Sequence, residues 1–283
     1  MKIGLLYDRI RKDEKKIIAA ARKQGISVKL INANNLIFAL EKNNFDFDVV
    51  IERCINHARA LYSLKILNEH DIKTINSYET AEICGSKFLV SEKLLKNNVK
   101  TPRVIITFTP EKALDAIEEI GYPCVLKPAV GSWGNLLAKI KDRESAEAII
   151  AHKKILGSYH HSVYYIQEYI RKPGRDIRVF VIGDKVAGAV YRTSRHWITH
   201  MDRGAIISKC PVTDDLKNIS LNAARAVNGD FVAVDIVESD SGLQVLEVEY
   251  TVEFFKFYPY LDKSITKKLI RYVQNNFPEE NYK

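Results

Sequence analysis

Three carboxylates near the end of the chain have the spacing of a cation site. Glu247 and Glu249 lie two residues apart in the apolar run Leu243–Tyr250, so a strand over that run turns both to one face. Asp235 lies in a second apolar run, Val232–Val237. If the two runs pair, all three acids meet in an apolar sheet, where they repel one another unless a cation sits between them. Oxygen-only donors select Mg2+ or Mn2+, with phosphates commonly completing the shell.

A phosphate partner is legible in residues 123–137, PCVLKPAVGSWGNLL. The strand-like run Cys124–Leu126 ends in Lys127. A loop, Gly131-Ser132-Trp133-Gly134-Asn135, then leads into a second run at Leu136 and Leu137. Glycine lets backbone N–H groups approach an anion, and the strand lysine adds a point charge. The order is not that of a P-loop, which needs Gly-Lys-Ser/Thr opening a helix; a Gly-rich hairpin cover with a strand lysine is the other arrangement. Arginines follow. Gly174-Arg175-Asp176-Ile177-Arg178 opens a strand, and Arg192 and Arg203 lie beyond it. Guanidinium forks suit phosphate and carboxylate, and a transferring phosphoryl group needs charge where its oxygens become more negative. Gln167-Glu168-Tyr169-Ile170 ends a strand before the Lys172-Pro173-Gly174 turn, a hinge whose backbone edges and carboxylate can read an adenine ring. His196 and Trp197 sit in a polar stretch able to shape a substrate pocket; the sequence offers His196 no orienting partner.

Alternating strands and helices must position these groups. Residues 3–7, 28–31, 48–51 and 72–75 read as strands, with helices at 11–24 and 57–69, and Asn76 or Ser77 can cap the next helix. This alternation predicts a small parallel sheet, assigned to an N-terminal lobe at 1–85. A central lobe, 86–162, holds a helix at 86–97 with Lys87, a strand at 104–107, a helix at 111–120, the hairpin 123–141 and a helix at 143–156. A third lobe, 163–283, opens with the β-prone run 163–170. It continues with a hairpin at 176–182 and 185–194, a helix at 214–227, strands at 231–237 and 243–250 and a closing helix at 264–276. The class is α/β.

Lys and Arg number 43 against 35 Asp and Glu, a net charge of +8 that favours an anionic partner. No helix-turn-helix, RNA-recognition or zinc-finger signature points to nucleic acid. No apolar run approaches the ~20 residues of a membrane span, and the first residues lack the apolar core of a signal peptide. Cys54, Cys84, Cys124 and Cys210 are scattered without metal-ligand spacing, as free thiols in a cytoplasmic protein would be.

Taken in order, Lys87, VLKP with Lys127, GSWGNLL, QEYI, GRDIR and the late acids make the chain similar to the ATP-grasp ligases over nearly its whole length. Together with YRTSRHWIT, they resemble the LysX, ArgX and RimK group. The resemblance implies an ATP-grasp fold with ATP between two lobes, Mg2+ (two ions, with Mn2+ as a substitute) and an acyl-phosphate route to a C–N bond. It implies that the amine of α-aminoadipate or glutamate is joined to the C-terminal glutamate of a small acidic carrier protein, LysW, in lysine or arginine biosynthesis. The basic charge fits such a partner. On this pattern Lys87, Lys127, Gly131, Ser132, Trp133, Gly134, Asn135, Leu136, Leu137, Gln167, Glu168, Tyr169, Ile170, Asp176 and Arg178 bind ATP. Asp235, Glu247 and Glu249 hold metal, and Arg192 and Arg203 are catalytic. The chain departs from the pattern at Asn135 (commonly Arg), Ala205 (commonly Gly), Glu249 (commonly Asn) and Phe254-Phe255-Lys256-Phe257. The rivals are glutamate ligation to a ribosomal protein or small acceptor, and a nucleotide sensor without catalysis. A homo-oligomer is the default assembly.

Overall fold

The computed structural model describes residues 1–39, 45–130, 136–155, 162–261 and 264–277. Its first sheet is parallel, as the alternation predicts. β1 (Ile3–Tyr7), α1 (Lys12–Lys23), β2 (Val28–Asn32), β3 (Val49–Glu52), α2 (His57–Glu69) and β4 (Lys73–Ile75) give the strand order β2-β1-β3-β4. Polar caps set the helix starts: Asn56 accepts Arg59 N–H for α2, and Ser77 accepts Thr80 N–H for α3 (Tyr78–Gly85). Asn76, the other cap candidate, instead ties the lobes together. Its amide donates to the carbonyls of Phe231 and Tyr250 at 2.7 and 2.9 Å and accepts from the N–H groups of Asp230 and Phe231.

After α4 (Lys87–Lys96) comes a second, antiparallel sheet. β5 (Val104–Thr107), α5 (Pro110–Ile120), β6 (Cys124–Lys127), β7 (Ala138–Ile140), α6 (Arg143–Ile155) and β8 (Tyr164–Glu168) give the order β5-β8-β6-β7. This corrects one expectation. The run 163–170, read as the opening of the third lobe, pairs with β5 and β6 inside the second sheet. Tyr164 and Ile166 point into that sheet's own core with Cys124, Leu126 and Ile140, so the apolar face of β8 decides where it docks.

The third sheet has the order β11-β10-β9-β12-β13, from β9 (Arg175–Ile182), β10 (Lys185–Thr193), β11 (Ile206–Lys209), β12 (Phe231–Ser239) and β13 (Gly242–Glu249). Both its faces are covered, so β9 and β12 read as nearly continuous apolar runs. One face packs Phe180, Ile182 and Phe231 against the N-terminal lobe and α8 (Ile265–Asn276). The other packs Ile177, Val179 and Val181 under α7 (Asp214–Ala226). The first and third lobes therefore share one core, and the second has its own. Among the described residues, no helix is long and apolar enough to cross a membrane.

Candidate active site

β12 and β13 pair antiparallel with Asp235 opposite Glu247, and the same-face rule brings Glu249 beside them. Oxygens of all three acids lie within 4.8 Å of one another. Cations from other strands hold them there. Arg178 on β9 forks Asp235 through Nε and Nη2, both at 2.8 Å, and its Nη2 reaches Glu249 Oε1 at 2.7 Å. Arg192 on β10 forks Asp176 at 2.7 and 2.9 Å and touches Asp235 Oδ2 at 2.9 Å. Lys87, at the start of α4, meets Glu247 Oε1 at 3.0 Å. Lys172 donates to Thr199 Oγ1 at 2.8 Å, and Thr199 in turn donates to Asp176.

These contacts decide the charge states. Burial works to raise the Asp235 carboxyl, but Arg178 and Arg192 hold it far below the usual carboxylate range. Glu247 is likewise raised by burial, and Lys87 and Lys127 bring it below its ordinary value. Glu249 ends above its ordinary value: burial and the neighbouring Asp235 and Glu247 outweigh its single arginine. Lys127, on β6, is driven down to about 8 by burial, with Lys87 and Lys172 opposing its charge and Glu247 supporting it. Lys127 is therefore charged below that pH and neutral above it. Phosphate affinity of the free protein is expected to fall as pH rises through about 8. Lys127→Arg, whose guanidinium stays charged, is expected to flatten the fall, as nucleotide titrations across pH would record.

The cleft around these groups joins all three lobes. Val125, Lys127, Gln167 and Glu168 line it from the second sheet, with Leu137, Tyr169 and Ile170 at the ends of its strands, and Asp176, Arg178, Arg192, Val237 and Leu246 from the third. The strand-end sequence Gln167–Ile170 thus reaches the site. The Glu168 carboxylate, however, already accepts Arg103 N–H at 2.8 Å and so braces the strand end. Tyr169 and Trp197 meet edge to face, with Lys139 Nζ 4.2 Å from the Tyr169 ring centre.

Some expected members stand elsewhere. Arg203 is exposed on a short 3-10 turn, Met201–Arg203, closed by Gly204 at φ 78°, and is not among the cleft-lining residues. Arg175 pairs with Glu238 at 2.7 Å and stacks on Tyr191, facing away from the cleft. Leu136 is exposed, and Gly131, Ser132, Trp133, Gly134 and Asn135 lie outside the described residues.

The wall from the first lobe was not foreseen. Ile55 and His57 follow the C-terminal end of β3, where parallel sheets place ligands, and that position is the signal available in the sequence. Tyr250, Thr251 and Glu253 continue from the carboxylate strand and are pinned to this lobe. Tyr250 OH meets His57 Nδ1 at 2.8 Å, Thr251 donates to Glu52 at 3.1 Å, and Arg11 donates to Glu253 at 2.9 Å. Asp13 accepts the N–H groups of Phe254 and Phe255 at 2.7 and 2.9 Å.

Three clustered carboxylates of hard oxygen donors fit a divalent cation. In the free protein each is already engaged by a cation suited to phosphate, so metal and phosphate should bind as a set. Lys87→Met removes the partner of Glu247. It is expected to tighten Mn2+ binding by nucleotide-free protein, up to about tenfold, while weakening nucleotide binding. Electron paramagnetic resonance of free Mn2+ reads the first effect; unchanged Mn2+ affinity would show that the pair does not restrain Glu247.

Residues 84–273 match the family model of the RimK-like ATP-grasp domain, and residues 3–83 that of the LysX preATP-grasp domain. The chain is 34% identical over 280 residues to the glutamate–LysW ligase ArgX of Sulfolobus acidocaldarius, covering 98% of this chain and 99% of that protein. It is 31% identical over 280 residues to the α-aminoadipate–LysW ligase LysX of Sulfurisphaera tokodaii, covering 97% and 98%. A solved RimK-domain ATP-grasp protein from Sphaerobacter thermophilus superposes with a TM-score of 0.80 at 23% identity, over 96% of this chain and 98% of that one.

Proposed function

The chain belongs to the RimK-like ATP-grasp family, and from that premise we propose that it joins the amino group of glutamate or α-aminoadipate to the C-terminal glutamate of the carrier protein LysW. It is an ATP-dependent ligase that forms a C–N bond. The observation that carries the reading is the convergence of Lys87, Lys127, Arg178 and Arg192 with Asp235, Glu247 and Glu249 in one cleft.

Lys87 and Lys127 hold the phosphates of ATP, and Gly131, Ser132, Trp133, Gly134, Asn135, Leu136 and Leu137 bind it with them. Gln167 through Ile170 receive the adenine, and Asp176, oriented by Arg192 and Thr199, stands on the ribose side. Asp235, Glu247 and Glu249 hold Mg2+, for which we propose two ions, with Mn2+ as a substitute; when bound, it supplies positive charge between the phosphates and the carboxylates. Arg178 and Arg192 supply donors where charge builds on the acyl phosphate. Arg203 belongs to the outer rim rather than the reacting centre. The third lobe begins after β8, and the protein works in the cytoplasm, where its cysteines stay free.

The test is ADP release by purified protein with ATP, Mg2+ and LysW, with glutamate and α-aminoadipate supplied separately. ADP release that needs both LysW and one of the two amino acids supports the reading and names the substrate. Release that ignores LysW contradicts it.

A further inference from the structure

We propose that His57 is the base that takes the proton from the incoming amine, an inference that rests on the ligase reading above. An amino acid arrives as an ammonium ion, which has no lone pair to attack with, so the cleft must contain a proton acceptor on the amine's side. The phosphate-type cations stand on α4 (Lys87), on the second sheet (Lys127) and on the third (Arg178 and Arg192). The first-lobe wall is left for the amine.

His57 lies on that wall at the first position of α2, half-buried and lining the same cleft as Lys87, Glu247 and Glu249. Two contacts fix its ring. Nδ1 is 2.8 Å from Tyr250 OH, one residue beyond Glu249, with the two rings edge to face at 5.7 Å. The other edge lies against Gly85, so closely that a Cβ there would fall 2.2 Å from Cε1 and Nε2. Gly85 is two residues before Lys87, and His57, Gly85 and the carboxylates Glu247 and Glu249 line one cleft. With Nδ1 engaged, Nε2 has no hydrogen-bond partner among the described residues.

The other acceptors are taken. Glu253 is held by Arg11 at 2.9 Å, Glu249 by Arg178 at 2.7 Å and Glu247 by Lys87 at 3.0 Å. Glu52 accepts from Thr251 and the Cys54 N–H. His200, the other cleft imidazole, uses Nδ1 on Asp202 N–H and faces the Asp202 carboxylate at 3.6 Å. Around His57, burial pushes the Tyr250 phenol and Cys84 thiol upward, so both stay neutral, and burial lowers His57 itself, so the imidazole arrives unprotonated.

In the step, Nδ1 carries the ring hydrogen and donates it to Tyr250 Oη, which leaves the lone pair on Nε2, and one N–H proton of the ammonium passes to Nε2. The freed lone pair attacks the acyl-phosphate carbonyl carbon; the C–N bond forms, the C–O bond breaks, and phosphate leaves with that electron pair. The second amine proton leaves with the phosphate, and the imidazolium returns its proton to water.

Hydroxylamine provides the discriminating probe, because it is largely unprotonated at neutral pH and needs no base. With ATP, Mg2+ and LysW, His57→Gln is expected to lose about 10²-fold in amino-acid-dependent ADP release. It is expected to keep near-normal hydroxylamine-dependent ADP release and hydroxamate formation on LysW. Its amino-acid activity should recover in part as pH rises and free amine accumulates. Equal loss with both nucleophiles would mark His57 as structural and overturn the proposal, as would no loss with either. The same selective loss in His200→Gln but not in His57→Gln would move the role across the cleft and overturn it too. Wild-type protein that makes no hydroxamate defeats the ligase reading itself, an outcome distinct from a failure at His57.

Discussion

Asp235→Asn is expected to reduce ligase turnover on the order of 10²-fold or more and to lower unfolding free energy by about 3–5 kcal/mol. Asn keeps the shape of the side chain and removes its charge. Asp235 is 7% exposed and is the shared counter-ion of Arg178 and Arg192, each 5% exposed. Without it, the carboxylates left to them among the described residues are Glu249 for Arg178 and Asp176 for Arg192. An uncompensated buried charge costs more than the pair was worth, because the guanidinium has lost both water and partner. The effect has a pH signature. The folded-state pKa of Asp235 lies below its ordinary value, so its stabilisation is present above the unfolded carboxylate pKa of ~4 and is lost as pH falls toward the folded value. The variant should lack this part of the acid limb. Urea unfolding at neutral and acid pH measures it. A loss below about 1 kcal/mol, the scale of an exposed pair, would contradict the buried-counter-ion account.

Lys127→Ala is the second large effect, a loss on the order of 10²–10³ in kcat/KM for ATP. Lys127 ends β6 and lines the cleft, and among the described residues no hydrogen bond ties it to a carboxylate before phosphate arrives. Lys127 is half-buried, and burial lowers its pKa to about 8. Phosphate binding restores an anionic partner to a poorly hydrated ammonium, so the interaction is worth more than at a surface. Lys127→Arg should recover part of the loss, since charge survives while the point-like fit does not. A wild-type rate in Lys127→Ala would take this residue out of the site.

Periodicity made most elements legible. The parallel first sheet, the hairpin at Gly183-Asp184 and the pairing of the two late acidic strands all follow from local pattern, because strand alternation and turn chemistry are local properties. The docking of β8 was not legible: its run of apolar and aromatic residues satisfies either sheet, and only the edges left open by β5 and β6 choose. The carboxylate triad followed from spacing; the Arg178 and Arg192 forks did not, since their partners depend on register between distant strands. The placement of Arg203 was not legible either, because residue type says nothing of direction: it stands exposed on the turn ending at Gly204. Glu249 is held by Arg178, which reaches it at 2.7 Å.

If this cleft moves a phosphoryl group onto a carboxylate before an amine displaces it, an oxygen of that carboxylate leaves with the phosphate. The direct measurement uses LysW whose C-terminal glutamate carries heavy oxygen in its carboxylates, incubated with ATP, Mg2+ and the amino acid that supports turnover. The inorganic phosphate released is then analysed by mass. The expected result is one heavy oxygen in each phosphate formed, transferred when the acyl C–O bond breaks, together with LysW heavier by one amino-acid residue. Unlabelled phosphate, with ADP released and LysW unchanged in mass, would contradict it.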